Sequence, residues 1–503
     1  MAITLKKIES ILFEAGLIKE YIHNNHWHFK LPVADYEFKH ITYDSRQVTS
    51  DSLFFCKGLS FKEDYLKRAV AENDLNFYIS ETPYNVDVHL GIIVTDIREA
   101  LALISMAFYD YPQEKLTLIG YTGTKGKTTA AYFTKAILDE ATNHKVAMLS
   151  TMNTTLDGKN YFKSSLTTPE SLDLYRMMAE AVTNGMTHLV MEVSSQAYKV
   201  KRVFGLVFDI GVFMNISPDH IGPIEHPTFD DYYYCKRQLI KQSKQVVIYQ
   251  DTQDVDLLIE MANAYNKPYV TYSGKSDADF VWLPTSDSLT FKVTQVIDSH
   301  ITIAGDYSLQ LRGDFNKDNA LASLIVCALA GASVDDLVRG LEIAKVPGRM
   351  EHILGKRGQH IFVDYAHNYD SLKNLMSFAK NEYPQARLTL VIGSPGNKGV
   401  SRRKDFGKVI SEFADTVFLT SDDPQFEDPN QIILEIAEAI DNQQVEQIVI
   451  ADREQAIKAA IDQANKGDVV ILAGKGQDLF QKVNGVDVPY AGDYQIATDY
   501  SNS

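Results

Sequence analysis

Residues 123–129, Gly-Thr-Lys-Gly-Lys-Thr-Thr, have the composition of a phosphate-binding loop. Glycine lets backbone N–H groups close around phosphate oxygens, a lysine at position 127 can neutralise β- and γ-phosphate charge, and a hydroxyl at Thr128 can ligate Mg²⁺. The strict loop pattern asks for glycine at position 121, where this chain has Tyr121, with glycines at 120 and 123 instead. The flanks have the right form: LTLIGYT reads as a buried strand entering the loop and KTTAAYFTKAILDE as a helix leaving it. Glu192, at the end of the apolar run THLVMEVS, is a strand-end carboxylate of the kind that serves a cation beside such a loop. His220 in SPDH and Lys236 in DDYYYCKRQLI would each read alone as a solvated side chain. Together with a phosphate loop they become candidates for the same site.

Residues so far apart in sequence need a scaffold to meet. THLVMEVS and FDIGVFMNI read as buried parallel strands, which with the loop makes an α/β nucleotide-binding pattern. Residues 245–311 turn strand-rich and read as a small antiparallel appendage, after which NKDNALASLIVCALAGA resumes as helix. Five short apolar runs near the C-terminus, IFVDY, LTLVIG, TVFLTSD, QIVIAD and VVILAG, alternate with helical patterns and predict a second open parallel sheet. Ligands of such sheets bind beyond the carboxyl ends of the strands, so Asp364, Gly393, Asp422 and Gly474 are expected to line one cleft. Breaks at YPQEK and KVPGR divide the chain into residues 1–113, 114–346 and 347–503. The expected fold is α/β in three domains: a smaller α/β N-terminal domain, a central P-loop ATPase-like parallel sheet and a C-terminal Rossmann-like parallel sheet. The N-terminal run MAITLKKIESILFEAG mixes charge into its apolar pattern and predicts an amphipathic helix, not a signal peptide. The histidines of YIHNNHWHFK are too irregularly spaced for a metal site and predict a surface loop.

Composition narrows the function. A formal charge of −17 gives no general electrostatic reason to bind nucleic acid or an anionic membrane, so a polyanionic substrate must be held by a local site. At 45% hydrophobic and 23% charged residues the 503-residue chain is ordinary globular protein, not disordered. The longest apolar stretch, 322–334, is too short to span a bilayer, and three widely spaced cysteines offer neither a disulfide framework nor a zinc motif. A cytoplasmic, monomeric protein is expected.

In sequence order, DSR (44–46), GTKGKTT, TTPE (167–170), MEVSS (191–195), NISPDH (215–220), the lysine of YYYCKR, GDFNKDNALAS, VPGRME, DYAHNYDSL and LAGKGQD resemble the motifs of the Mur ligase family over nearly the whole chain. Within that family the long segment before the loop, with DSR, TTPE and MEVSS, is similar to the tripeptide-forming MurE type, which adds an amino acid to UDP-N-acetylmuramoyl-L-alanyl-D-glutamate. The resemblance implies an ATP-dependent amide ligase working through an acyl phosphate. It assigns Gly123, Thr124, Lys125, Gly126, Lys127, Thr128 and Thr129 to ATP, with Asn319, Arg349, Asp364 and His367 completing the nucleotide site. Thr128 and Glu192 would hold one Mg²⁺, and His220 and Lys236, the latter as a carbamate, a second. Ser45, Thr167, Thr168, Ser194 and Arg202 would hold the UDP-sugar peptide. The chain departs from the family pattern at Lys125, where asparagine is commoner, and at Gln477 and Asp478, which replace a usual His-Glu pair.

The acceptor is expected to be read by the last segment. Family members that use meso-diaminopimelate resemble one another in a DNPR motif whose arginine grips the extra carboxylate. Here the run is Asp422-Asp423-Pro424-Gln425, and a second arginine of those enzymes falls near Gly396. Gln425 cannot make a charged fork, whereas Asp422, Asp423, Glu427 and Asp478 suit a side-chain ammonium. With Gly474 and Pro424 they form the expected amino-acid pocket, favouring L-lysine, with ornithine as competitor. A folylpolyglutamate synthase resembles the central and C-terminal parts but has no place for Ser45 and Thr167-Thr168, and a non-catalytic P-loop switch would not couple ATP turnover to two organic substrates.

Overall fold

The computed structural model describes residues 1–58, 61–222, 225–275, 277–296, 301–397 and 399–502. The chain forms two compact units, Met1–Leu309 with Asp314–Ala344, and Gln310–Gly313 with Lys345–Ser503.

The first unit contains two large sheets. The N-terminal one has six strands, in the order His26–His28, Ile18–His23, Leu90–Val94, Phe77–Ser80, Ser52–Phe55, His40–Thr42. The last four run parallel, and the helices Leu5–Glu14 and Ile97–Phe108 bury their apolar faces in the same core as this sheet. The histidine-bearing run 21–30 differs from the loop expected of it. It is an edge hairpin, turned at Asn24 and Asn25, whose φ of 48° and 59° fit the two-residue turn that asparagine accepts at low cost.

The second sheet has eleven strands. The strand entering the phosphate loop, Thr117–Thr122, lies between His188–Glu192 and Phe208–Phe213, parallel to both. Register pairs Tyr121 with Glu192 and Thr122 with Phe213, so the loops leaving all three strands open at one edge. The departure from the strict loop pattern has a packing cause. Tyr121 is fully buried with its hydroxyl 2.5 Å from Thr134 Oγ1, and Gly120 is glycine because a Cβ would come 2.8 Å from the Phe208 ring.

The strand-rich segment 245–311 corrects the expectation of an antiparallel appendage. Ser243–Tyr249, Tyr269–Ser273 and Phe280–Pro284 extend the central sheet in parallel, and only Thr290–Gln295 and Gly305–Ser308 turn antiparallel at its edge. The helix Asp314–Leu329 packs on all three of these parallel strands and Val255–Ala264 on the first, which buries their apolar centres. The predicted run HITIAG gives a strand only from Gly305, and its first residue lies outside the described ones.

In the second unit the five predicted strands form one parallel array, His360–Asp364, Val469–Ala473, Leu388–Ile392, Thr416–Leu419, Glu446–Val449, with Glu351–Leu354 antiparallel at the edge. Among the described residues no helix is long and apolar enough to cross a membrane.

Candidate active site

In the first unit the phosphate loop is braced by the segment after the neighbouring strand. Asn215 accepts from Lys125 N at 2.8 Å and donates to Lys125 O at 3.0 Å, while Thr124 N donates to Asn215 O at 3.0 Å. Gly126 enters the helix Lys127–Thr142 with φ +83°, and a Cβ there would stand 2.3 Å from Asn319 Oδ1 and 2.8 Å from Met214 Cε. Glycine is therefore required at 126 by conformation and by clearance. Lys127 Nζ folds over the loop to the carbonyls of Gly123 (2.8 Å) and Thr124 (3.3 Å).

Two candidate cation ligands meet beside the loop. Thr128 Oγ1 donates to Glu192 Oε1 at 2.7 Å, both groups buried, and Glu192 also accepts from Thr151 N (2.8 Å) and Thr151 Oγ1 (3.0 Å). Thr151 is a residue of this cluster that the sequence reading missed, because a lone threonine in TMNTT carries no spacing signal. Its hydroxyl reaches Thr167 Oγ1 at 3.1 Å, and Thr168 Oγ1 lies 3.3 Å from Ser194 Oγ while donating to Glu192 O at 3.0 Å. Thr167, Thr168 and Ser194 thus join the site around Glu192. Arg202 joins through Glu170, donating to Oε1 at 2.8 Å and to Thr168 O at 3.3 Å. Lys57, just past the strand Ser52–Phe55 of the N-terminal sheet, pairs with the other oxygen of Glu170, and Tyr43 with Asp173. Burial works against the Glu170 carboxylate, but these two cations outweigh it and hold its pKa below the ordinary value. Ser45 opens a short 3₁₀ turn just after Tyr43, capped by Asp44.

Lys236 is buried on the helix Phe229–Lys241 and donates to Gly123 O at 2.7 Å. Burial, reinforced by the charge of Lys127, pulls its pKa far below that of an ordinary lysine. His220 is half exposed, at φ +54°, and pairs with Glu225 at 3.0 Å; its ring centroid is 6.2 Å from that of Tyr232, and Lys236 Nζ is 4.8 Å from the same Tyr232 ring. A third residue of this loop, His226, went unnoticed in the sequence. It is fully buried between Asp231 (Nδ1, 2.7 Å) and Ser195 Oγ (Nε2, 3.0 Å), tying the Glu192–Ser195 loop to the helix that carries Lys236.

In the second unit Arg349 lies over the Tyr365 ring at 5.6 Å, Met350 N donates to Asp364 Oδ2 at 2.8 Å, and His367 Nδ1 bonds to Tyr365 O at 2.8 Å. Burial raises the Asp364 pKa, with Arg349 opposing. The four strand-end residues expected to line a cleft do converge. Gly474 N donates to Asp364 O at 3.1 Å; a Cβ on Gly474 would come 2.9 Å from Asp422 Oδ2, and one on Gly393 2.9 Å from Asp422 N.

The acidic residues around this cleft are not all free. Lys475 is buried and pairs with Asp423 at 2.8 Å and Asp478 at 3.4 Å, and Glu427 is held by Arg403 at 2.7 Å. Burial pushes the Asp422 carboxyl up, with Arg453 and Lys475 opposing. Three carboxylates, Asp422, Asp423 and Asp478, still act on one lysine ammonium, so the cleft keeps an excess of negative charge.

Comparison with known proteins places this geometry. Residues 121–327 match the Mur ligase middle domain and residues 348–476 the Mur ligase glutamate ligase domain. The chain is 54% identical, over 100% of its length and 99% of the relative, to a UDP-N-acetylmuramoyl-L-alanyl-D-glutamate--L-lysine ligase of Enterococcus faecalis. It is 50% identical, over 99% of its length and 100% of the relative, to a protein of the same name from Streptococcus pyogenes. Among solved structures, a UDP-N-acetylmuramoyl-L-alanyl-D-glutamate--2,6-diaminopimelate ligase aligns over 100% of this chain and 99% of its own, with TM-score 0.67 and 26% identity.

Proposed function

The chain belongs to the Mur ligase family, and from that premise we propose that it is the ATP-dependent ligase that joins L-lysine to the D-glutamate of UDP-N-acetylmuramoyl-L-alanyl-D-glutamate, a step of peptidoglycan precursor synthesis. The observation that carries the chemistry is the meeting of Lys127, Thr128, Glu192 and Lys236 at one phosphate loop. ATP and a UDP-linked substrate support a cytoplasmic reaction, and we propose that a single chain carries it out.

The donor set fits divalent cations. Thr128 and Glu192 offer hard oxygens 2.7 Å apart in a buried position, as Mg²⁺ prefers. Lys236 as an ammonium would repel a cation. Its low pKa favours the neutral amine, which can add to CO₂, lose a proton to water and become an anionic oxygen ligand. Thr128 and Glu192 would hold one Mg²⁺, and His220 and the Lys236 carbamate the other, where the bound ions would offset charge on the β- and γ-phosphates as the bond between them breaks.

The residues of the chain do the rest. Backbone N–H groups of residues 123–129 and the Lys127 ammonium orient the γ-phosphate in line with the substrate carboxylate. A γ-carboxylate oxygen of the D-glutamate attacks that phosphorus, releasing ADP and leaving an acyl phosphate. Ser45, Thr167, Thr168, Ser194 and Arg202 hold the UDP-linked peptide in place for this attack. The α-amine of lysine then displaces phosphate at the acyl carbon, forming the amide as the amine proton passes to solvent. Arg349, Asp364 and His367 are proposed to complete the nucleotide site, while Asp422, Asp423, Pro424, Gln425, Gly474 and Asp478 receive the amino acid. The excess negative charge there suits a side-chain ammonium and repels a second carboxylate.

Purified protein given ATP, Mg²⁺ and the UDP-linked dipeptide should yield, by mass spectrometry, a lysine adduct with stoichiometric phosphate. Ornithine should react less and meso-diaminopimelate not at all. A diaminopimelate adduct would sink the reading of the acceptor pocket, and no adduct with any acceptor would sink the ligase itself.

A further inference from the structure

The Asp422–Gln425 turn is clamped on both sides by main-chain contacts. On one side Gly396 N donates to Asp423 O at 2.8 Å, Asn397 N to Glu427 Oε1 at 2.5 Å, and Phe426 N to Asn397 Oδ1 at 3.2 Å. On the other, the hairpin Phe480–Val483 with Val486–Pro489 receives the turn like an added strand. Gln425 N donates to Lys482 O (2.9 Å), Asn484 N to Gln425 O (2.6 Å) and Lys482 N to Asp423 Oδ1 (2.9 Å). The turn cannot retreat in either direction without losing several of these bonds.

Gly396 sits at the tightest point of the clamp. A Cβ built on it would lie 1.9 Å from the Pro424 carbonyl oxygen and 2.7 Å from the carbonyl carbon, far inside van der Waals contact, and the obstacle is backbone, not a side chain able to swing aside. Arg403, buried between Glu427 and Glu435 at 2.7 Å each and 3.4 Å from Pro395 O, fixes the Gly396 loop from behind.

We propose that Gly396 is a specificity-determining residue: its bare backbone, pressed on Pro424, sets the position of the acidic turn and leaves no room for a side chain that could greet a second carboxylate. This deepens the reading of Asp422–Gln425 as the amino-acid pocket and rests on it. Specificity for a mono-carboxylate amino acid is then a property of two locked loops and not of the residue at 425 alone. An arginine installed at 425 meets a turn whose spacing was fixed for something else.

The test measures kcat and KM for each substrate in the full-length protein carrying Gln425→Arg, Gly396→Ala or Asp423→Asn. Gln425→Arg should not take meso-diaminopimelate. Gly396→Ala should raise the KM for lysine about tenfold or more while the KM values for ATP and the UDP-linked dipeptide stay within about twofold, since a shifted turn disturbs only the acceptor. Asp423→Asn should also raise the lysine KM. If Gln425→Arg alone uses diaminopimelate within about tenfold of the wild-type lysine kcat/KM, or if Gly396→Ala leaves the lysine KM unmoved while Asp423→Asn raises it, the role of Gly396 is overturned and the pocket stands. If neither variant moves the lysine KM, the pocket itself is elsewhere. Should Gly396→Ala not fold, Asn397→Ala, which removes the Phe426 bond without adding bulk, should raise the lysine KM about threefold, and an unchanged KM overturns the inference.

Discussion

Lys236 and Gly126 show how little of a candidate site residue's behaviour belongs to the residue alone. A lysine on an amphipathic helix is ordinarily a solvated cation; inside this fold it is buried, beside Lys127, and bonded to the Gly123 carbonyl. Protein equilibrated with ¹³C-bicarbonate should therefore show a carbamate resonance in its NMR spectrum that Lys236→Met lacks, and the same resonance in both would refute the modification at this site. Gly126→Ala forces a side chain into a left-handed position against Asn319. ATP turnover should fall about 100-fold or more, with near-normal circular dichroism, when phosphate release is followed at saturating acceptor.

At the scale of elements, buried charge holds the sheet of the second unit to its helices. Arg453, at the start of the helix Arg453–Gln463, grips both oxygens of Asp493 at 2.9 and 2.7 Å and donates to Ala473 O at 2.7 Å, at the end of the strand that leads to Gly474. Arg453→Met leaves Asp493 buried and uncompensated and should cost about 3–5 kcal/mol in chemical denaturation. Glu351 gives a pH signature. Burial, with Asp364 adding to it, pushes its carboxyl up to about 7, against bonds from Gly348 N (2.8 Å) and Gln477 Nε2 (2.6 Å) that favour the charged form. A carboxyl whose folded pKa is raised binds more protons folded than unfolded, so its contribution to stability is full below the unfolded value near 4.5 and is lost as pH rises to about 7. Glu351→Gln should accordingly gain about 1–2 kcal/mol on wild type at pH 8 and nothing at pH 4, the partial exposure of the group reducing the figure. Equal pH slopes for the two proteins would contradict this.

For the whole molecule, the division into two units means that the phosphate loop with its candidate cation ligands and the candidate acceptor cleft belong to different compact units. An acyl phosphate must be shielded from water, so ATP turnover should depend on all three substrates. With lysine omitted, phosphate release should drop to about one hundredth of the coupled rate, and uncoupled hydrolysis near the full rate would argue against a shielded intermediate. The charge of −17 adds a second consequence: under the proposed site, Lys127 and Arg202 would draw in the anionic ATP and UDP-linked dipeptide against the charge of the chain, so affinity for both should weaken as salt screens them.

The sequence alone determined the phosphate loop, the parallel strands around it, the second parallel array and the strand-end residues of its cleft, because apolar runs and glycine spacing are local signals that report directly on buried strands and tight turns. It was weaker where partners are distant. That residues 243–284 extend the central sheet instead of hanging from it was decided by the helices Val255–Ala264 and Asp314–Leu329, which pack on its strands. Thr151, Glu170 with Lys57, and His226 entered the site through contacts that span 41, 113 and 31 residues. In the sequence Gly396 stands out only because a second arginine of the diaminopimelate enzymes falls near it, and only the tertiary structure gives the reason for its being glycine: the Pro424 carbonyl occupies the place where a side chain would begin, a close approach of two backbones that no local pattern in either loop encodes.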